Sequence, residues 1–223
     1  MSILLQLSSE NLSSRVYGRI RSALMDGEFA PGERLRIKDL SSQLGTSITP
    51  VREAIFKLVS ERALEMRAAT AIHVPILGPD DLRQIQLMRL ALEGAAAERA
   101  CTLMTPADLD RLAKIQEEFV IAAAKDAALA AKLNTDFHFG LLRAAQMPLV
   151  TATVENFWVM MGPLLRTFHN EMPRREISSR NHKHYQVLRA LRKRDPQAAR
   201  VAIQDDIRWS DVIIAWLEKQ NAA

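Results

Sequence analysis

Two basic side chains near the start of the chain lie where helices could present them to nucleic acid. Lys38 opens a short predicted helix, and Arg52 lies in the first turn of the next one, at about 49–60. At such positions an ammonium or guanidinium group can donate hydrogen bonds to a guanine edge or contact phosphate. Glu53 and Glu61 could instead neutralise Arg52 in a surface ion pair. The residues alone leave both interpretations open.

Histidine and cysteine are the other residue types with obvious chemistry. Asn134 and His138 are four residues apart, so one face of a predicted helix presents both side chains. The single cysteine, Cys101, cannot form an intrachain disulfide, and its Ala-rich surroundings predict a buried small hydrophobe. The following histidines lack such neighbours and are expected at the surface or its boundary: His73, His169 and His182.

Three predicted helices would position Lys38 and Arg52. The first, at 12–25, carries apolar residues four apart, which form one stripe. The second, at 37–44, ends before Gly45, and Ser47 is placed to cap the third. Two helices joined by a tight turn form a helix-turn-helix.

A change of sequence pattern divides the chain into two domains. Apolar and polar residues alternate at 64–67 and 72–74, which predicts two short strands that would form a wing. A Gly-Pro pair starting at Gly78 breaks this pattern, and the residues after it have a helical period. We therefore expect a winged helix-turn-helix domain at 1–78 and an all-helical domain at 79–223.

The second domain is predicted to be an antiparallel helical bundle, so the fold class is mainly α. It would have six helices, or seven if Pro163 splits the fourth. Thr105-Pro106 and Asp195-Pro196 each pair a capping residue with proline at the first helical position. The predicted helices lie at about 80–102, 106–124, 127–146, 148–168, 176–194 and 196–220.

The composition limits the class of protein. The 223 residues are 48% hydrophobic and 25% charged, which is ordinary for a globular protein with a buried core. The formal net charge of +4 is compatible with nucleic-acid binding but does not demonstrate it. The first ten residues do not resemble a secretion signal, and no apolar run is long enough to cross a bilayer. We expect a cytoplasmic protein without membrane association.

About sixty residues near the N-terminus carry a recognisable motif. It consists of Phe29-Ala30-Pro31-Gly32-Glu33-Arg34-Leu35, Asp39-Leu40, Leu44-Gly45-Thr46-Ser47, and Thr49-Pro50-Val51-Arg52-Glu53-Ala54 followed by Leu58. This motif resembles the winged-helix signature of GntR-type bacterial transcription regulators. The resemblance implies that four residues lie where such proteins commonly touch operator DNA: Lys38, Ser47, Thr49 and Arg52.

Two departures from that family pattern concern the DNA contact. Ile48 occupies a position where many members have arginine. The predicted wing tip, 67–71, lacks the glycines that allow a tight turn into the minor groove. We therefore do not infer from the sequence that this wing contacts the minor groove.

Three motifs at 88–96, 137–145 and 184–191 are similar to the helical FCD effector domain of the FadR-like branch of that family. Many members of this branch bind a divalent metal through one Asp and three His. The resemblance maps these ligand positions onto Asn134, His138, His184 and Asp206. Two of the four residues differ in type from the usual set, but the set keeps one negative charge.

Two interpretations of this mixed set remain open at the level of sequence. Two imidazoles and two oxygen donors could hold zinc, manganese, nickel or iron, and the set does not choose among them. Alternatively, His138 and His184 are polar core residues that bond to Asn134 and Asp206 without a metal. Arg89 matches an arginine common in this domain and could bind an effector carboxylate, or it could pair with Glu93 on the helix surface.

The sequence therefore predicts a ligand-responsive DNA-binding transcription regulator, not an enzyme. Its partners would be double-stranded operator DNA, a small carboxylate effector and a second copy of the chain, because helix-turn-helix proteins usually read two half-sites as dimers. Repression relieved by effector is the commoner mode in the family. The alternatives are a metal-dependent enzyme fused to a DNA-binding domain and an effector-independent DNA-binding protein.

Overall fold

A computed structural model describes residues 12–67, 71–171 and 182–221. Its described residues form two compact units: those up to Ile76 together with 159–164, and those of 77–158 together with 165–221. No helix in these ranges is long and apolar enough to cross a membrane.

The first unit consists of three helices and a small sheet. The helices are α1 (Leu12–Met25), α2 (Ile37–Gln43) and α3 (Ile48–Ser60), and the strands are β1 (Arg34–Leu35), β2 (Glu65–Arg67) and β3 (Ala71–His73). Both predicted wing strands are present, and β3 lies between β1 and β2 with antiparallel pairing. The sequence pattern missed β1 because two residues are too short to show a period. The predicted wing tip at 68–70 lies outside the described residues.

The connection between α2 and α3 has the expected turn chemistry. Leu44 ends α2, and Gly45 follows with φ of +61°, a left-handed conformation that glycine adopts without steric penalty. Ser47 is the N-cap of α3 in extended conformation. This short turn lets α3 cross α2, as a helix-turn-helix requires.

The second unit is helical. Its elements are α4 (Pro79–Leu103), α5 (Pro106–Ala123), α6 (Ala127–Ala145), α7 (Pro148–Glu171) except residues 159–164, α8 (Lys183–Arg192), α9 (Pro196–Ile207) and α10 (Ser210–Asn221). The predicted caps are confirmed for α5 and α9, because Thr105 and Asp195 accept hydrogen bonds from the backbone N–H groups of Asp108 and Ala198. The mainly α fold class is therefore confirmed.

The structure decides one open alternative about the helices and corrects one predicted range. Pro163 does not break α7, which runs on past it between the buried side chains of Trp158 and Phe168. The additional helix arises at the C-terminal end instead, because the chain turns after Ile207 and Trp209 N–H bonds to Asp206 O, three residues back. The predicted start of the fifth helix, at 176, lies outside the described residues, and within them α8 begins at Lys183.

Candidate functional site

The first candidate site is the outward face of α2 and α3. Lys38, Ser47, Thr49 and Arg52 are all exposed there. The Ser47 side chain makes no capping hydrogen bond, and Pro50 has no backbone N–H group. Among the described residues, the N–H groups of Ile48 and Thr49 therefore have neither an intrahelical partner nor a Ser47 cap. A helix start of this kind carries partial positive charge and favours anionic partners.

Arg52 does not form the surface ion pairs that the sequence left open. Glu53 accepts a hydrogen bond from Ser13, and Glu61 accepts one from Tyr17 Oη at 2.7 Å. Among the described residues, Arg52 has no ion pair. Its guanidinium is therefore available to a partner outside the chain.

The core of the first unit determines which face of α3 points outward. Val51, Ile55 and Leu58 are fully buried and pack in one cluster with Ile20 and Leu24 of α1. Because these side chains occupy one side of α3, the exposed residues must occupy the other. The amphipathic pattern of α3 thus holds Arg52 at the surface.

The second candidate site is a buried cluster in the helical unit. His138 of α6, His184 of α8 and Asp206 of α9 bring their ligand atoms within 4.8 Å of one another. His138 Nε2 lies 3.1 Å from Asp206 Oδ2, and His184 Nε2 lies 3.7 Å from the same oxygen. The structure therefore brings together three of the four residues predicted to form a metal site.

The other nitrogen of each imidazole has its own partner. His138 Nδ1 lies 2.6 Å from Glu93 Oε2, and His184 Nδ1 lies 2.6 Å from Gln116 Oε1. Because a carboxylate and an amide oxygen only accept hydrogen bonds, both Nδ1 atoms carry protons. This arrangement orients the rings and directs the two Nε2 atoms toward Asp206.

Mutual interactions shift the pKa values of these buried groups. Burial alone would raise the pKa of Asp206, but the neighbouring imidazoles, His184 first, hold it well below its usual value. Burial alone would likewise lower the pKa of His138, but Glu93 and Asp206 raise it. For His184, burial dominates and lowers the pKa. Asp206 is thus anionic and His184 neutral, the forms that bind a metal ion.

Arg89 and Glu93 extend this cluster along α4. Arg89 Nε donates to Glu93 Oε1 at 2.5 Å, and its guanidinium carbon lies 4.3 Å from the Trp158 ring centroid. The predicted Arg89–Glu93 pair therefore forms, but it is buried and not at the helix surface. Although burial would raise the pKa of Glu93, Arg89 and His138 lower it to about 2.

Sequence reasoning missed several members of the cluster. Gln116 lies outside the quoted motifs, and Glu93 was expected only as a partner of Arg89, yet these two residues hold the imidazoles of His184 and His138. His182, expected to lack partners, has its ring centroid 4.4 Å from that of His184 and a pKa lowered to about 4 by burial and by His184. Asn134 is half-buried one turn before His138. Of these residues, only Asn134 had been related to the site from sequence, by its i, i+4 spacing from His138 and by the family resemblance.

The donor set fits a divalent cation. Within the part of the chain that the structure describes, the completely buried His184 Nε2 has no hydrogen-bond partner, although Asp206 Oδ2 lies 3.7 Å away. An unpaired lone pair in that environment is unfavourable unless a positive charge lies beside it. Two imidazole nitrogens and one carboxylate oxygen, with imidazoles oriented by outer hydrogen bonds, are typical ligands of a transition metal.

The two units match two protein-family models. Residues 12–74 match the family described as bacterial regulatory proteins, gntR family, and residues 84–208 match the FCD domain. The first match contains the outward face of α2 and α3. The second contains His138, His184 and Asp206.

Similar proteins are transcription regulators. The HTH-type transcriptional regulator McbR of Escherichia coli K12 is 32% identical over 205 residues, which cover 92% of this chain and 93% of McbR. The structure of E. coli McbR/YncC superposes with a TM-score of 0.86 and 32% identity, covering 96% of this chain and all of that one.

Two further E. coli K12 relatives extend this result. The Exu regulon transcriptional regulator is 27% identical over 84% of this chain and 76% of its own length. The HTH-type transcriptional repressor RspR is 23% identical over 100% of this chain and 97% of its own length. Given these matches and the arrangement of both sites, the chain belongs to the GntR family of bacterial transcription regulators, in the FadR-like branch that carries an FCD domain, and is not an enzyme.

Proposed function

We propose that this regulator is a homodimeric, cytoplasmic repressor that binds operator DNA through residues 1–78 and releases it when residues 79–223 bind a small carboxylate. The observation that carries the proposal is the exposed Arg52 at the start of α3, which has no ion pair among the described residues. It lies beside the Ile48 and Thr49 N–H groups, which the Ser47 side chain does not cap. Dimerisation follows from the way helix-turn-helix proteins read paired half-sites.

Each proposed DNA contact has a distinct role. Arg52 lies in the first turn of α3 and can donate two parallel hydrogen bonds to a guanine in the major groove. Ser47 and Thr49 present hydroxyl groups beside it, and Lys38 can reach the phosphate backbone from the start of α2. Phosphate contacts would set the register, and Arg52 would supply base preference.

Substitution of Arg52 tests the DNA contact. A duplex selected from a random library should lose about 10- to 100-fold in affinity for Arg52→Ala, because one bidentate guanine contact supplies roughly 1–3 kcal/mol. Fluorescence anisotropy at fixed salt gives the dissociation constants. Arg143→Ala, which removes an exposed arginine from the helical unit, is the control and should bind as wild type. Equal affinities for both variants would remove Arg52 from the interface.

The helical domain would hold a divalent metal through His138, His184 and Asp206. Asn134 could add a fourth donor from the same face of α6 as His138. When bound, the ion would offer a Lewis-acidic position to a carboxylate oxygen. The chain's own contribution is to keep His184 neutral and Asp206 ionised, and to hold both imidazoles in place through Gln116 and Glu93.

Arg89 is our candidate for the other end of the effector. Only its Nε is engaged by Glu93, and neither terminal guanidinium nitrogen has a hydrogen-bond partner among the described residues. These two nitrogens can form a bidentate pair with a carboxylate. Trp158 stacks against the guanidinium and would hold it in position.

Effector binding can be tested by calorimetry. A panel of small mono- and dicarboxylates is titrated into the wild type, into Arg89→Ala and into the control Arg200→Ala, whose arginine pairs with Glu98 at the surface. We expect Arg89→Ala to weaken the best acid about 10-fold or more, because a charge-assisted bidentate contact is lost. Unchanged affinity in Arg89→Ala would place the effector elsewhere.

The proposed mechanism is a shift between conformations. A ligand that binds one arrangement of the helical domain better than another changes the population of the DNA-binding form. Release of a pre-bound operator duplex by the best acid of the panel would support repression relieved by effector. Tighter operator binding in the presence of the acid would show instead that the effector promotes DNA binding.

A further inference from the structure

Two large apolar side chains are exposed on the outward face of α3. Ile48 is 38% exposed and Phe56 is 50% exposed, although the core of this unit lies on the opposite side of the same helix. A half-exposed phenylalanine in the middle of a surface helix has unfavourable contact with water. Neither side chain belongs to the hydrophobic cluster that holds α3 in place.

The helical period places these side chains among the proposed DNA contacts. Ile48 precedes Arg52 by four residues, and Phe56 follows Thr49 by seven, which is close to two turns. Each pair therefore shares one strip of the helix surface. Together they form an apolar surface, Ile48 and Phe56, that flanks Thr49 and Arg52.

The chemistry of the major groove restricts what this apolar surface can read. Guanine, adenine and cytosine present polar atoms at the groove edge, whereas thymine also presents its C5-methyl group. An isoleucine cannot donate a hydrogen bond to guanine, so Ile48 cannot perform the role of the arginine that many family members have at this position. It can exclude water around a methyl group.

We propose that Ile48 and Phe56 contact thymine C5-methyl groups on either side of the base pair that Arg52 reads. The operator of this regulator would then contain A·T pairs flanking that position, selected by apolar contact. The inference rests on the proposed function, because it requires the outward face of α3 to lie in the major groove. The positive charge of Arg52 and of the α3 N-terminus favours DNA as the partner of this face over an apolar protein surface.

The test removes only the methyl group. A duplex selected by the wild-type protein from a random library is synthesised with thymine or with uracil at each half-site position, since uracil lacks the C5-methyl but pairs identically. Loss of one buried methyl contact should weaken wild-type binding about fourfold per thymine contacted. For Ile48→Ala/Phe56→Ala, the affinities for thymine and uracil duplexes should become equal.

The control is Leu149→Ala, which truncates a leucine that is 84% exposed in the helical unit. This variant should keep the full thymine preference of the wild type. Both target residues are exposed, so the double variant should retain its fold, which circular dichroism at the same concentration verifies.

Two results would overturn the inference, and the effect of Arg52→Ala then shows whether the proposed function fails with it. Equal wild-type affinity for thymine and uracil duplexes would exclude methyl contacts. An undiminished thymine preference in the double variant would assign the preference to other residues. If either result occurs while Arg52→Ala still weakens binding, only the apolar contact is wrong. If Arg52→Ala also has no effect, the whole face of α3 is excluded from the groove.

Discussion

Charge balance at single residues explains why the buried cluster is stable. Arg89, Glu93, His138 and Asp206 are linked in series by contacts of 2.5, 2.6 and 3.1 Å, so each buried carboxylate has a guanidinium or an imidazole beside it. Buried charges are tolerated when each is paired and hydrogen-bonded, whereas removal of one partner leaves an uncompensated charge. The residues around His138 are therefore coupled, and each affects the protonation of the next.

Glu93 provides a residue-scale prediction. Glu93→Gln keeps the shape of the side chain but removes the charge that orients His138, so metal affinity should fall about 10- to 100-fold. Competition with a chromophoric chelator measures this affinity for zinc. Glu98→Gln, which changes an exposed glutamate on the same helix, should leave it unchanged. Wild-type zinc affinity in Glu93→Gln would show that Glu93 does not orient a ligand.

At the scale of elements, close packing decides which side chains meet. Gly94 of α4 faces Gln204 of α9 so closely that a Cβ at Gly94 would lie 2.9 Å from Gln204 Nε2. Gln204 Nε2 also donates to Leu90 O at 3.0 Å. This contact brings α9 against α4, which places Asp206 beside His138. A side chain at position 94 would displace the Gln204 amide and break its hydrogen bond to Leu90 O.

The position of α3 depends on a polar contact from α1. Tyr17 Oη donates to Glu61, the C-cap of α3, at 2.7 Å, and Lys57 Nζ lies 3.9 Å from the Tyr17 ring centroid. Burial, followed by the hydrogen bond to Glu61, raises the pKa of Tyr17 from 10.0 to about 12. The folded protein therefore holds this proton more tightly than the unfolded chain does.

Tyr17→Phe tests this contact by pH. A raised pKa contributes stability that is fully present below pH 10 and is lost as the pH rises toward about 12. Near neutral pH the variant should be less stable by about 1 kcal/mol, the net value of one hydrogen bond. Above pH 10 the difference between wild type and variant should shrink. Urea unfolding at several pH values measures both, and a difference that grows with pH would contradict the assignment.

For the whole molecule, two compact units separate DNA contact from sensing. The outward face of α3 belongs to the first unit, and the His–Asp cluster belongs to the second. All three tryptophans, Trp158, Trp209 and Trp216, lie in the second unit. Tryptophan fluorescence therefore reports unfolding of the helical unit selectively.

Metal removal tests this division. If zinc binds only the folded helical unit, a concentration 100 times its dissociation constant adds about 2.7 kcal/mol. Chelation should then lower the fluorescence Tm by roughly 5–10 °C. His184→Ala should show no chelator effect, because a buried ligand is gone. His73→Gln changes a histidine of the first unit and should behave as wild type. A wild-type Tm insensitive to chelator would support the metal-free alternative.

Local patterns in the sequence determined the fold class and the exposed candidate residues for DNA contact. The apolar stripes, the cap and proline pairs and the turn at Gly45 depend on interactions between residues fewer than about five positions apart. For the same reason, the exposed side of α3 could be predicted from its own period. The two-residue strand β1 could not, since its pairing partner lies almost forty residues further along the chain.

Only the tertiary structure decided what surrounds the predicted ligands. His138 meets Glu93 45 residues away and Asp206 68 residues away, and no local pattern encodes those distances. The buried position of the Arg89–Glu93 pair, the support of His184 by Gln116 and the proximity of His182 all result from helix packing. Desolvation in that packed interior lowers the pKa values of His182 and His184, so the chemistry of the cluster exists only in the folded chain.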